Sequence, residues 1–182
     1  MAAQSGHVKV VRLLVKAGVN VNSATNSGRS PLLMAAQNGH LEVVRLLMQE
    51  GADINHTTDD RRSPLLMTAQ NGHVKVARLL VEAGADINQA NSSGRTCLHV
   101  AIQHNHREVA LLLTHRGAEL GPGISHEERS QHQATLIDWL KSRVGQLTAE
   151  TGALTVANEE LAVGIRIWCE HAARKAAGGG PG

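Results

Sequence analysis

The chain reads as an all-α solenoid, a helix-turn-helix unit with a β-hairpin loop repeated every 33 residues, followed by a C-terminal helical extension. Three tracks carry that expectation. Gly6-His7, Gly39-His40 and Gly72-His73 recur at that period, and Asn105-His106 continues the phase with Asn in place of Gly. Gly51-Ala52-Asp53, Gly84-Ala85-Asp86 and Gly117-Ala118-Glu119 share it, with Gly18-Val19-Asn20 as the earliest copy. Ser30-Pro31-Leu32, Ser63-Pro64-Leu65 and Thr96-Cys97-Leu98 form the third. Unrelated residue types locked in one phase point to a tandem unit that cannot bury its own apolar face and must stack on its neighbours.

The elements of a unit follow in order. Ser30 and Ser63 can cap a helix with their hydroxyls, and Pro31 and Pro64 suit the first helical position, where a missing N–H costs nothing. A short first helix follows. Gly39 and Gly72 permit the left-handed backbone that ends it, and Asn105 is the next most tolerated residue there. A second helix carries Val43, Val44, Leu46 and Leu47, matched by Val76, Leu79 and Leu80 and by Val109, Leu112 and Leu113, which predicts its buried face. Gly51, Gly84 and Gly117 stop that helix, and Ile54-Asn55 and Ile87-Asn88 lead into an extended hairpin.

The pattern resembles the ankyrin repeat, whose signature is a Thr-Pro-Leu-His start, a central Gly-His and a closing Gly-Ala-Asp-x-Asn. The resemblance covers residues 1 to about 120. It departs at Leu33 and Leu66, which stand where the family has His, with only His99 keeping it. It departs again at Arg61, which replaces the hairpin glycine kept as Gly28 and Gly94. The expected organisation is a partial repeat at 1–22, repeats at 23–55, 56–88 and 89–120, a linker at 121–124, a helical extension at 125–177 acting as a cap, and a flexible terminus at 178–182.

Met1 falls in phase with Met34 and Met67, so the sequence opens inside a repeat, and further repeats upstream are expected. After Leu120 the phase is lost, and Gly121-Pro122-Gly123 reads as a turn. Ser125 and Glu128 have capping-box spacing, and Leu136, Ile137, Leu140 and Val144 share one helical face, which predicts a helix ending before Gly145. A second helix is predicted from Asn158 through an apolar face at Leu161, Ile165, Trp168, Cys169 and Ala172. A helix of this kind, carrying Leu136, Ile137, Trp139 and Leu140, would serve to cover the last repeat.

Composition narrows the function. The net charge is +2 with Lys and Arg scattered among Asp and Glu, which argues against nucleic acid as a partner. Cys97 and Cys169 match neither a disulfide framework nor metal-ligand spacing, so a cytoplasmic or nuclear setting is expected. The longest apolar run, Val109 to Leu113, is too short for a bilayer, and no membrane role is expected. Trp139 and Trp168 are the only aromatic residues, so the repeats must have an aliphatic core. No nucleophile elbow, phosphate loop or His-Glu-x-x-His occurs, and neither an enzyme activity nor a cofactor is expected. His7, His40, His73 and His106 sit one repeat apart, too far to converge on a metal, and the resemblance implies a structural hydrogen-bonding role for them.

The functional expectation is a protein-interaction scaffold or adaptor that grips another protein with its concave face. By the resemblance, partners meet the hairpin tips and the exposed side of each first helix. Those positions are Asn26, Ser27, Arg29, Gln37 and Asn38, then Asp59, Asp60, Arg62, Gln70 and Asn71, then Ser92, Ser93, Arg95, Gln103 and His104. Arg29, Arg62 and Arg95 hold one position in three successive repeats and would suit an acidic or phosphorylated segment. Two alternatives stand beside this reading. The array can be the recognition arm of a larger enzyme of ubiquitin-ligase or kinase type, or a dimerising adaptor using Leu140, Leu147, Leu154 and Leu161, spaced by seven. Gly145, Gly152 and Gly164 weigh against a zipper and favour a monomer.

Overall fold

A computed structural model describes residues 1–151 of the chain. The described residues form eight helices, α1 (Val8–Lys16), α2 (Pro31–Gln37), α3 (Leu41–Gln49), α4 (Pro64–Asn71), α5 (Val74–Glu82), α6 (Cys97–Gln103), α7 (Arg107–His115) and α8 (His126–Thr151). A first compact unit ends at Ser130. Within it α2, α4 and α6 stack as one layer and α1, α3, α5 and α7 as a second, with α2–α3, α4–α5 and α6–α7 paired as helical hairpins. No helix among the described residues is long and apolar enough to cross a membrane.

Local chemistry explains the helix starts. Ser30 and Ser63 accept the backbone N–H groups of Leu33 and Leu66, each at 3.2 Å, with proline directly after. Thr96 makes no such cap, and its hydroxyl donates instead to the carbonyl of Glu119 at 2.6 Å. The core is aliphatic, as the composition requires. Leu32, Leu65 and Leu98 from the first helices and Val43, Leu47, Leu80, Val109 and Leu113 from the second are all buried. Cys97 is buried among them, and burial pushes its thiol up to about 12, so it stays protonated and packs as a small apolar group.

The connecting loops differ from the expected β-hairpins. No strand is present among the described residues. Each loop turns tightly, but its arms close on one backbone pairing, Thr25 to Arg29 at 3.0 Å, Thr58 to Arg62 at 3.1 Å and Asn91 to Arg95 at 3.0 Å, too few for a ladder. The loops are tied to their neighbours instead. The side-chain carbonyls of Asn22, Asn55 and Asn88 accept the backbone N–H groups of Asp53, Asp86 and Glu119 one repeat on, at 2.8, 2.9 and 2.8 Å.

The Gly-His track is a second tie. His40, His73 and His106 donate through Nε2 to the carbonyls of Gln4, Gln37 and Gln70 in the preceding repeat, at 2.8, 3.0 and 3.0 Å. Each imidazole lies over the preceding glycine. A Cβ built on Gly6, Gly39 or Gly72 would sit within 2.6 Å of an Nδ1 atom, so glycine serves both the positive φ and the ring. Asn105, also at positive φ (59°), stands where no following histidine of this track exists, and there a Cβ is admitted.

After the fourth repeat the chain stays against it. Gly123 donates to the Gly94 carbonyl at 3.1 Å, and Arg129 donates to the carbonyls of Leu120 and Gly121 at 3.3 and 2.9 Å. Ser125 and Glu128 form the predicted capping box, with Glu128 N–H donating to the Ser125 hydroxyl at 3.1 Å and the Glu128 carboxylate accepting the Ser125 N–H at 3.1 Å. That backbone hydrogen bond holds the Glu128 carboxyl below its ordinary range. Helix α8 then runs through Gly145 to Thr151, past the predicted stop, because an interior glycine weakens a helix without ending it. The predicted second helix, Trp168, Cys169, and Leu154 and Leu161 of the heptad series lie outside the described residues, and of the side chain of Leu147 nothing is described.

Candidate functional site

The tips and first helices of successive repeats form a continuous polar surface over the buried leucines. Every predicted site residue is exposed or half-buried: Asn26, Ser27, Arg29, Gln37 and Asn38; Asp59, Asp60, Arg62, Gln70 and Asn71; Ser92, Ser93, Arg95, Gln103 and His104. Their positions follow from local bonding. The backbone N–H of Arg29 is held by the Thr25 hydroxyl at 3.1 Å, that of Arg62 by the Thr58 hydroxyl at 3.1 Å and that of Arg95 by Asn91 Oδ1 at 3.0 Å. Each arginine therefore leaves a rigid turn at the same place, directly before the residue at the helix cap.

The surroundings of the three guanidinium groups differ. Arg62 lies 3.9 Å from the Asp60 carboxylate, both well exposed, a separation at which solvent screens most of the attraction. Arg95 donates to Gln103 Oε1 at 3.1 Å and is folded down over α6. Arg29 is exposed beside Ser27 and Gln37.

One depression of about 210 Å³ lies between the second and third repeats, lined by Ser27, Arg29, Leu33, Gln37, Thr58, Asp59, Asp60, Arg62 and Met67. It brings together six of the predicted residues from two repeats. The remaining nine lie outside it. Asn38 and Asn71 turn their amides back to the carbonyls of Met34 and Met67 at 2.8 Å each, so they finish their own helices. His104 lies parallel to His106 with ring centroids 6.3 Å apart. Leu33, Thr58 and Met67 were not among the predicted residues. Leu33 had a signal, since it stands where a polar His is usual, and this gives the depression an apolar floor.

Arg61 forms the outer corner of this depression's third-repeat tip. It adopts φ 58° and donates its N–H to the Thr58 carbonyl at 2.8 Å, the bonding that Gly28 and Gly94 make to Thr25 and Asn91 at 2.9 Å each. The turn has kept its type, and the non-glycine residue bears the strain. Arg61→Gly is expected to stabilise the array by about 0.5–1 kcal/mol, the left-handed penalty less the greater freedom glycine gives the unfolded chain. Urea denaturation checks this, and a loss of stability would show that Arg61 makes compensating contacts at the tip.

Comparison with known families places residues 1–58 and 50–122 on a model described as ankyrin repeats (3 copies). None of the curated proteins compared with the chain matches it.

Proposed function

The chain belongs to the ankyrin-repeat family, whose arrays generally mediate protein–protein interaction, and from that we propose that it is a scaffold or adaptor that grips a partner protein along its tips and first helices. The observation that carries this reading is the depression between the second and third repeats, where polar tip residues from two repeats meet over the apolar floor of Leu33 and Met67. A surface of this kind takes an extended segment or a protruding loop, with one apolar side chain seated on the floor and polar groups answered at the rim. Arg29, Arg62 and Arg95 along one edge favour acidic side chains or phosphoryl groups on that segment. No step of chemistry is assigned to this surface, and its contribution is binding alone.

The test compares the wild-type chain with an Arg29→Ala, Arg62→Ala, Arg95→Ala variant, each immobilised and exposed to lysate at rising salt. None of the three side chains is buried, so helicity should not change, while partner retention should fall about tenfold and lose most of its salt dependence. Unchanged retention and an unchanged salt profile would move the contact surface elsewhere.

A further inference from the structure

The three tips are bonded alike and differ at one chemically telling position. Gly28, Arg61 and Gly94 all have positive φ and donate their backbone N–H to the carbonyls of Thr25, Thr58 and Asn91 at 2.9, 2.8 and 2.9 Å. The residue before each of them, Ser27, Asp60 and Ser93, is exposed and stands two positions ahead of an arginine. In the third repeat that pair is charged on both sides, with the Asp60 carboxylate 3.9 Å from Arg62 Nε. In the second repeat Ser27 takes the place of Asp60, and Arg29 makes no ion pair among the described residues. In the fourth, Arg95 is already engaged with Gln103 Oε1, and the Ser93 carbonyl lies against Gly123. The second tip alone thus combines an exposed hydroxyl with an arginine that lacks the anion its neighbour has.

We infer that Ser27 is a phosphorylation site for a serine kinase, and that its phosphoryl group closes onto Arg29 as the Asp60 carboxylate faces Arg62. In the transfer, Ser27 Oγ bonds to the γ-phosphorus of ATP, the bond from that phosphorus to the β-phosphate oxygen breaks, ADP leaves and the hydroxyl proton passes to the kinase's base. The Ser27 hydroxyl shares only a 3.1 Å bond with the exposed Thr25 hydroxyl, which water can replace. A carboxylate oxygen stands two bonds from Cβ and a phosphoryl oxygen three, and that extra reach carries a 3.9 Å separation toward a charge-assisted contact of about 2.8 Å on a guanidinium fork. Asp59 and Asp60 line the far side of the same depression and repel the dianion, which holds it on the Arg29 side rather than across at Arg62. The consequence for binding rests on the reading of this depression as the gripping surface. Phosphorylation adds about −1.5 to −2 of charge there and occupies Arg29, so an edge that receives acidic groups comes to refuse them.

The test screens arginine-reading serine kinases on the peptide 20–33 and then offers the full chain, with Mg-ATP, to those that phosphorylate Ser27 in the peptide. Mass-spectrometric mapping should place the phosphoryl group of the full chain on Ser27, and Ser27→Ala should remove it. In a second arm phosphoserine is encoded at position 27 of the full chain and its phosphorus NMR resonance is titrated with pH. A nearby guanidinium favours the dianion, so Arg29→Gln should raise the titration midpoint by about half a pH unit, and Arg62→Gln should move it less. A peptide that is phosphorylated while the folded chain is not would overturn the inference, as would a failure of every kinase to modify even the peptide. A midpoint indifferent to Arg29 would overturn the pairing on which the inference stands. Both arms use the chain without a partner, so their failure is distinct from a failure of the gripping surface, which partner retention reports.

Discussion

Gly72→Ala is expected to destabilise the array by about 3 kcal/mol, the sum of a left-handed penalty of roughly 1–2 and an overpacking cost of roughly 1–3. Gly72 has φ 74°, and a Cβ there would lie 2.4–2.9 Å from three atoms of the His106 ring. The ring cannot retreat without giving up its 3.0 Å hydrogen bond to the half-buried Gln70 carbonyl, and the loss of that bond adds to the cost. Gly51→Ala is the internal comparison. Gly51 has φ 83° with no atom within 4 Å of the built Cβ, so only the left-handed penalty applies and the loss should stay near 1–2 kcal/mol. Urea denaturation at constant m-value measures both. If the two variants lose stability equally, the ring contact contributes nothing and glycine is there for backbone conformation alone.

This pair shows what the sequence made legible and where it stopped. The recurrence of Gly-His at 33 residues was enough to fix the helix ends, because a left-handed stop is a local property of one residue. That the same glycine also makes room for a ring from the next repeat was not legible, since it depends on how two repeats stack. The candidate site divides in the same way. Arg29, Arg62 and Arg95 could be placed on one edge from phase alone, whereas the inclusion of Leu33 and Met67 in a depression with Asp59 and Asp60 depends on the offset between adjacent tips. Residue identity also does not say that Arg62 leans toward Asp60 while Arg95 folds onto Gln103, because both outcomes lie within reach of a long flexible side chain. The extension misled for an energetic reason. Stopping a helix at Gly145 treats a penalty of about 1 kcal/mol as decisive, and the intact backbone ladder around it is worth more.

Gly121 of the linker and Gly145 of the extension should therefore respond to alanine with opposite signs. At Gly121 a built Cβ would collide with the Gly94 carbonyl oxygen and lie 3.1 Å from Thr96 Cγ2, and the first of these is backbone that cannot rotate away. Gly121→Ala must push the 119–123 segment off the fourth tip, with loss of the Gly123 to Gly94 hydrogen bond and displacement of the Gly121 carbonyl that accepts from Arg129. The expected cost is about 2–3 kcal/mol. At Gly145, inside α8, no described atom lies within 4 Å of the built Cβ, and replacing a mid-helix glycine by alanine should gain about 1 kcal/mol. Hydrogen exchange separates the two effects. Gly121→Ala should lower protection at the Gly123 amide while the amides of α4 and α5 keep theirs, and Gly145→Ala should raise protection only within α8. A Gly121→Ala chain whose Gly123 amide exchanges as slowly as in the wild type would mean that the segment after Leu120 is not seated on the fourth tip.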